Sequence, residues 1–265
     1  MKVNDKVILI TGGGAGIGRF LALSLLNKGA KVAICDINEG YLAETEKLSD
    51  NHKNLSTHKL DVTDKESVEK LPQKIIDKHG TIDILVNNAG VIQPFIPISE
   101  LDEEVIRRMM EINYFGVINM LKSFLPILKQ RPKAQIVNIG SMGGFIPFPG
   151  QTAYCASKAA VKILSEGLNV EMMNSNINIT LIQPGGVATE ITKNSGIEIK
   201  TDEKSKKQQQ SLLSPEKAAE QIVKAIEKDK FRVLIGKDAK MLNFLYRLFP
   251  TWISKKIAQK MSVVS

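Results

Sequence analysis

Ile10-Thr11-Gly12-Gly13-Gly14-Ala15-Gly16-Ile17-Gly18 joins two stretches of different hydrophobic period. Before it, Val7-Ile8-Leu9-Ile10 is a short apolar run, the pattern of a strand buried on both faces. After it, Leu21, Leu25 and Leu26 recur at helical spacing on a segment that closes at Gly29. A strand, a glycine-rich turn and a helix in that order make a phosphate cradle. Glycine lets the backbone approach a pyrophosphate, and the helix start aims free N–H groups and a partial positive charge at it. The competing reading is a tight turn that holds nothing.

Two local features separate these readings. A P-loop needs Gly-Lys followed by Ser or Thr, and here Arg19 follows the last glycine. A dinucleotide site asks instead for an acid at the end of the next strand, about 20 residues on. Lys31-Val32-Ala33-Ile34-Cys35-Asp36 supplies it. The Asp36 carboxylate can accept both hydroxyls of an adenosine ribose and would repel a 2′-phosphate. Ile37 and Asn38 follow it, with no arginine to offset that repulsion. The expected cofactor is therefore NAD rather than NADP.

A chain of 265 residues with 43% hydrophobic and 24% charged residues suits one large α/β domain with a sizeable core. Cys35 and Cys155 are the only cysteines and form no CxxC pair, which fits a reducing, cytoplasmic compartment. Met1–Lys6 runs straight into the first strand and leaves no room for a signal peptide, and no apolar run approaches 18 residues. The net charge of +8 is concentrated at the end. Residues 237–265 carry Lys237, Lys240, Arg247, Lys255, Lys256 and Lys260 against Asp238 alone. No nucleic-acid motif accompanies them, so a basic tail beside an acidic ligand or lipid is preferred to a DNA-reading face.

Strand-like runs at Val7–Ile10, Val32–Cys35, Leu55–Leu60, Ile82–Val86, Gln135–Ile139, Asn178–Ile182 and Arg232–Ile235 alternate with helical segments. Those segments lie near 16–28, 39–49, 64–79, 102–129, 152–174 and 215–228. Thr63 with Glu66 reads as a capping box, and Ser214-Pro215-Glu216 as an N-cap with proline at the first helical position. Seven alternating units predict a doubly wound parallel sheet with helices on both faces and ligands outside the carboxyl ends of its strands.

The residues at those ends bear chemistry. Asp61-Val62 is placed to contact an adenine, or Asp61 merely caps its turn. Asn87-Asn88-Ala89-Gly90 can let a ribose lie on backbone, or is an ordinary Asx turn. Ser141 is no hydrolase nucleophile, because the elbow needs glycine two residues earlier and Ile139 stands there. His52, His58 and His79 show neither triad order nor metal spacing, and each reads as a lone surface histidine with no metal site. Tyr154 and Lys158, spaced i, i+4, share one helix face. A phenol titrates near pH ~10, and an ammonium beside it favours the phenolate, so the pair can move a proton while Ser141 bonds a substrate oxygen. A snorkelling lysine beside a packed tyrosine is the plainer alternative.

TGGGAGIG, Asp36, Asp61, NNAG, Asn113, Ser141, YCASK and Pro184-Gly185 together resemble, in order and spacing, the short-chain dehydrogenase/reductase family over residues about 5 to 235. The resemblance implies a Rossmann-type fold and a tetrad of Asn113, Ser141, Tyr154 and Lys158. Tyr154 would be the general acid/base and Ser141 would orient the substrate. Lys158 would lower the tyrosine pKa and hold the nicotinamide ribose, and Asn113 would fix a water. Gly12, Gly16, Ile17, Gly18, Asp36, Asp61, Val62 and Asn88 would line the NAD site. Tyr154 and Lys158 would join them, with Val187 and Thr189 on the nicotinamide side. The family commonly forms dimers and tetramers.

Residues 190–213, polar and aperiodic, are expected to be a lid over the substrate. Gln93–Ile96, Met142, Phe145, Phe148 and Cys155 are further pocket candidates whose apolar character suggests a lipophilic secondary alcohol or ketone. The chain thus divides into a dehydrogenase domain, 1–236, and a basic amphipathic tail, 237–265, that Pro250 splits into two helices. The tail could close the pocket or a subunit interface, lie on a membrane surface, or only fill core. Two rival functions stand beside the enzyme: a cofactor-binding regulator without turnover, and a membrane-surface binding protein acting through the tail.

Overall fold

Alternate side chains of the first strand enter opposite layers, and that alternation builds the molecule. In β1 (Val7–Thr11), Ile8 and Ile10 join one buried cluster while Val7 and Leu9 join the other. The computed structural model describes residues 1–197 and 212–261. Its remaining strands are β2 (Lys31–Asp36), β3 (Leu55–Lys59), β4 (Ile84–Asn87), β5 (Ala134–Ile139), β6 (Ile177–Pro184) and β7 (Arg232–Ile235). They pair in parallel in the order β3-β2-β1-β4-β5-β6-β7. The chain direction of travel reverses between β1 and β4, the crevice where such sheets hold ligands.

One face is covered by α1 (Gly16–Leu26) and α8 (Pro215–Glu227), which bury Leu21, Leu25, Ile222 and Val223 against Ile8, Ile10, Val32 and Ile34. The other is covered by α3 (Lys65–His79), α5 (Gly116–Leu128) and α6 (Thr152–Glu171), through Ile75, Phe124 and Val161 against Val7, Leu9 and Leu85. Each fully buried Leu or Ile contributes about 1.5–3 kcal/mol, so the two layers outweigh local helix propensity, worth at most ~1 kcal/mol per residue. The shorter helices are α2 (Glu39–Leu48), α4 (Glu103–Met110) and α7 (Ile191–Asn194).

The predicted doubly wound sheet is what forms, and every strand but β7 begins or ends a residue or more away from its sequence-read limits. Two local readings need correction. Thr63 is not the cap of α3: its hydroxyl donates to Asp61 Oδ1 (2.8 Å), and Asp64 caps by accepting from Ser67 N (3.2 Å). The single helix expected over 102–129 is α4 and α5 joined by a π turn, Glu111–Phe115. There Asn113 turns inward and Gly116 comes against Val62, and one extra residue per turn accommodates both. Ser214 caps α8 from Lys217 N with Pro215 at the first turn, as the sequence indicates.

The histidines also differ from expectation. His58 and His79 are not lone surface groups; they flank Ser56 Oγ at 3.0 and 2.8 Å, and His79 is buried. Burial first, then the neighbouring His79 and Lys74, pulls His58 down to about 4. The folded chain therefore binds fewer protons than the unfolded chain between the ordinary histidine value and about 4. Its stability should fall as pH drops through that window, and His58→Gln should flatten the fall; thermal melting from pH ~7 to ~4 checks this.

The C-terminal segment forms α9 (Lys237–Leu248) and α10 (Pro250–Met261), divided at Pro250 as predicted. Ile253 and Ile257 pack with Ile146, alongside Phe145, Phe148, Leu242 and Leu245, in a third, smaller core. The tail helices thus lie on the loop that follows β5. Of the expected lid, residues 198–211 lie outside the described residues.

Candidate active site

Because all seven strands run parallel, the loops after β1, β2, β3, β4, β5 and β6 leave one edge of the sheet. That edge gathers the glycine turn, Asp36, Asp61, Asn88, Ser141 and the Val187–Thr189 loop. A Cβ on Gly18 would lie 2.1 Å from the Gly12 carbonyl oxygen, so only glycine lets α1 start this close to the turn. Gly16 has φ +52°, and its Cβ position is 3.4 Å from the Thr189 methyl. Thr189 therefore stands over the start of α1, opposite Ile17 and Gly18. The loop carrying it is pinned by a parallel bridge between Val187 and Leu213, with Ala188 N donating to Leu213 O (2.9 Å).

At the end of β2, Gly14 N donates to Asp36 Oδ2 (3.1 Å) and Asn38 N to Asp36 Oδ1 (3.0 Å). Each carboxylate oxygen keeps a lone pair for a further donor. Arg19 offers Asp36 no relief. Its Nε donates to Gly14 O (2.9 Å) and its Nη2 pairs with Glu44 (2.6 Å), so it braces the glycine turn from behind. Asp61 Oδ1 accepts from Thr63 N (2.9 Å), the turn-capping alternative, and Val62 O accepts from Asn119 (3.0 Å). Asn88 Nδ2 donates to Thr11 O and Gly12 O (2.9 and 3.0 Å), while Thr11 Oγ1 accepts from the N–H groups of Asn88 and Ala89 (both 2.9 Å). Thr11 thus ties β1 to the loop after β4, a role its position alone did not reveal.

Ser141, Tyr154, Lys158 and Asn113 come together beyond the ends of β4 and β5. Ser141 Oγ accepts from Gly143 N (3.0 Å), and the hydroxyl lies near enough to the Tyr154 phenol to lower its pKa. The Gly143 Cβ position lies 3.4 Å from both Ser141 Oγ and the Tyr154 ring, so a side chain there would crowd the pair. Lys158 Nζ and Asn113 Oδ1 converge on Gly90, 3.2 and 3.1 Å from its Cβ position. Lys158 is buried and donates to Ile139 O (3.1 Å).

Burial pulls the Lys158 ammonium down to about 8. The same cause pushes the Tyr154 phenol up to about 12, against a smaller lowering by the Ser141 hydroxyl. The expected lowering of Tyr154 by Lys158 is not realised within the chain alone: removal from water dominates, and the ammonium rests on the Ile139 carbonyl. Asn113 is held through both ends of its amide. Oδ1 accepts from Val91 N (2.8 Å), and Nδ2 donates to Val91 O (3.0 Å) and Ser157 Oγ (2.9 Å), which donates on to Tyr154 O (2.8 Å).

Several pocket expectations change. Gln93 is wholly buried, its Oε1 accepting from Tyr154 N (3.0 Å) and its Nε2 donating to Gly150 O (3.0 Å). It holds the first turn of α6, and hence Tyr154, rather than lining a pocket. Phe145 and Phe148 are taken up by the tail core, and Cys155 Sγ lies 3.2 Å from the Gly143 Cβ position. Met142, half-buried, and Phe95, 45% exposed, keep surface available to a ligand.

Asp238, the lone acid of the tail, was unassigned by its sequence. Its Oδ2 accepts from Gly186 N (2.7 Å), and its carboxylate fills the space over Gly185 and Gly236. It latches the start of α9 onto the loop bearing Val187 and Thr189. Asp238→Ala should cost about 1–3 kcal/mol of stability and weaken NADH binding, as melting and fluorescence titration would show.

The family description "short chain dehydrogenase" matches residues 6–200 of this chain. The chain is 34% identical to the Mycobacterium tuberculosis protein SadH over 261 residues, covering 96% of this chain and 94% of that one. A crystal structure of a short chain dehydrogenase/reductase from Burkholderia phymatum in complex with NAD superposes with TM-score 0.82. It is 25% identical and covers 94% of this chain and 96% of its own. A short chain dehydrogenase from Burkholderia cenocepacia in complex with NADP superposes with TM-score 0.81 at 25% identity, over 97% and 99% of the two chains. Strand order, glycine turn and sequence agree, and the chain belongs to the short chain dehydrogenase family of oxidoreductases.

Proposed function

We propose that this protein transfers a hydride between NAD(H) and a lipophilic secondary alcohol or ketone. The observation that carries the reading is the convergence of Ser141, Tyr154 and Lys158 beside a dinucleotide cradle on one sheet edge. The cradle suits the cofactor: a Cβ at Gly12 or Gly18 would strike the turn's own packing, Gly16 holds φ +52°, and Asp36 is anchored at the adenosine end. Asp61 and Val62 would meet the adenine, Asn88 the ribose side, and Val187 and Thr189 the nicotinamide side. Bound there, the nicotinamide ring supplies or accepts the hydride.

The remaining work falls to the chain. Ser141 hydrogen-bonds the substrate oxygen and holds it at the phenol. Tyr154, protonated at neutral pH because burial raises its pKa, donates to a developing alkoxide in reduction and accepts in oxidation. Lys158, partly charged near pH 8, favours the phenolate when its ammonium swings toward the ribose side. Asn113 acts through its grip on Val91 and Ser157, which sets the π turn against α6.

NAD over NADP is supported by Asp36 and by the engagement of Arg19 elsewhere. A homodimer or homotetramer in the cytoplasm is the assembly we favour, because α6 exposes Ile163 and Val170, with Met173 exposed just beyond its end, and both cysteines are free and buried. The substrate class is tested by NAD reduction across secondary alcohols graded from small polar carbinols to steroids. Turnover should rise with lipophilicity, whereas turnover confined to small polar alcohols would overturn the lipophilic reading.

A further inference from the structure

The tail helices have two apolar sides, and only one is covered. Toward the body, Leu242, Leu245, Ile253 and Ile257 pack on the loop after β5. Toward solvent, Met241, Phe244, Leu248, Phe249 and Trp252 are each 54–63% exposed and adjoin across the α9–α10 junction. On α9 the spacing of 241, 244 and 248 makes one stripe. Around it, Lys240, Arg247, Lys255 and Lys256 are exposed, and among the described residues none of them forms an ion pair. The sequence after Asp238 contains no acid, and Asp238 itself is turned inward onto Gly186.

We infer that this face docks on an anionic phospholipid surface, with Phe244, Phe249 and Trp252 entering the headgroup boundary and the lysines meeting lipid phosphates. Charge selects this occupant over a second copy, because an isologous contact through the face would oppose two clusters of like charge. It also selects lipid over a protein partner. Specific protein interfaces are depleted in lysine, whereas lysine-flanked aromatics are the composition of a helix lying in a membrane interface. Among the described residues no helix is long and apolar enough to cross a membrane, so the contact is peripheral. The inward side of the same helices holds the loop that starts at Ser141, so docking turns that loop toward the bilayer. The inference stands apart from the substrate reading, since vesicle binding is measured without turnover.

Trp252 is the chain's single tryptophan and reports on the contact directly. The full-length protein is titrated with phosphatidylcholine vesicles with or without about 30 mol% phosphatidylserine, following emission and co-sedimentation. The expected result is a blue shift with co-sedimentation on the anionic vesicles only. Lys255→Glu with Lys256→Glu should weaken binding at least ~10-fold while NADH binding is kept. Phe244→Ser with Phe249→Ser should abolish the blue shift. An unshifted emission on anionic vesicles, or equal binding to neutral ones, would overturn the proposal. So would a blue shift that grows with protein concentration in the absence of vesicles, which would assign the face to a second copy.

Discussion

Tyr154→Phe is expected to lower kcat by about 10²–10⁴-fold or more while NADH binds about as well as to the native protein. The ring and its place on α6 survive the change, because Gln93 holds the Tyr154 backbone N–H and Ser157 the carbonyl oxygen. What is lost is the one hydroxyl that faces Ser141. The pH dependence follows from burial. A phenol pushed up to about 12 stays protonated at neutral pH, the form needed to donate in ketone reduction. Reduction should therefore be nearly flat from pH ~6 to ~8. Alcohol oxidation needs the phenolate and should climb with pH, by up to about tenfold per unit. Steady-state rates in both directions, with NADH titrations of the variant, check these outcomes; appreciable residual turnover in Tyr154→Phe would remove its assigned role.

Asp36→Ala should raise the use of NADP relative to NAD by about 100-fold. Two unit charges ~4 Å apart repel by about 4 kcal/mol at the effective dielectric near a protein surface, and ~1.4 kcal/mol is a factor of ten. Screening by solvent reduces that figure, but loss of the ribose hydrogen bonds acts in the same direction by lowering NAD affinity. Asp36→Asn separates charge from scaffolding, since an amide oxygen still accepts from Gly14 N as Asp36 Oδ2 does. If charge is the cause, the asparagine variant reproduces most of the switch. Ratios of kcat/KM for the two cofactors measure it, and an unchanged ratio in both variants would show that the carboxylate does not select.

The features legible in the sequence are those whose chemistry is local. The glycine turn must be glycine because its own backbone closes to 2.1 Å of a Gly18 Cβ, and Asp36 lies at the end of the very next strand. Tyr154 and Lys158 share a helix face by spacing alone. Features set by partners distant in sequence were not legible. Gln93 reads as a pocket residue until α6 is folded onto it, 61 residues away. His79 looks solitary until α3 brings it to Ser56, which His58 also meets from its own strand. The Thr63 capping box fails because Asp61 competes for the hydroxyl, and an apolar period of 3.6 does not register the extra residue of the π turn at Glu111–Phe115. The tail's two helices were plain from Pro250, but which face would be covered depended on Phe145, Ile146 and Phe148.

The most direct test of the account is isotope transfer. NADH carrying deuterium at the nicotinamide C4 is incubated with the protein and a graded panel of ketones, and the products are analysed by mass spectrometry. The account predicts deuterium on the carbinol carbon of at least one lipophilic product, and none when Tyr154→Phe replaces the native protein. Tight NADH binding with no deuterium in any product would contradict it and identify the chain as a cofactor-binding protein without turnover.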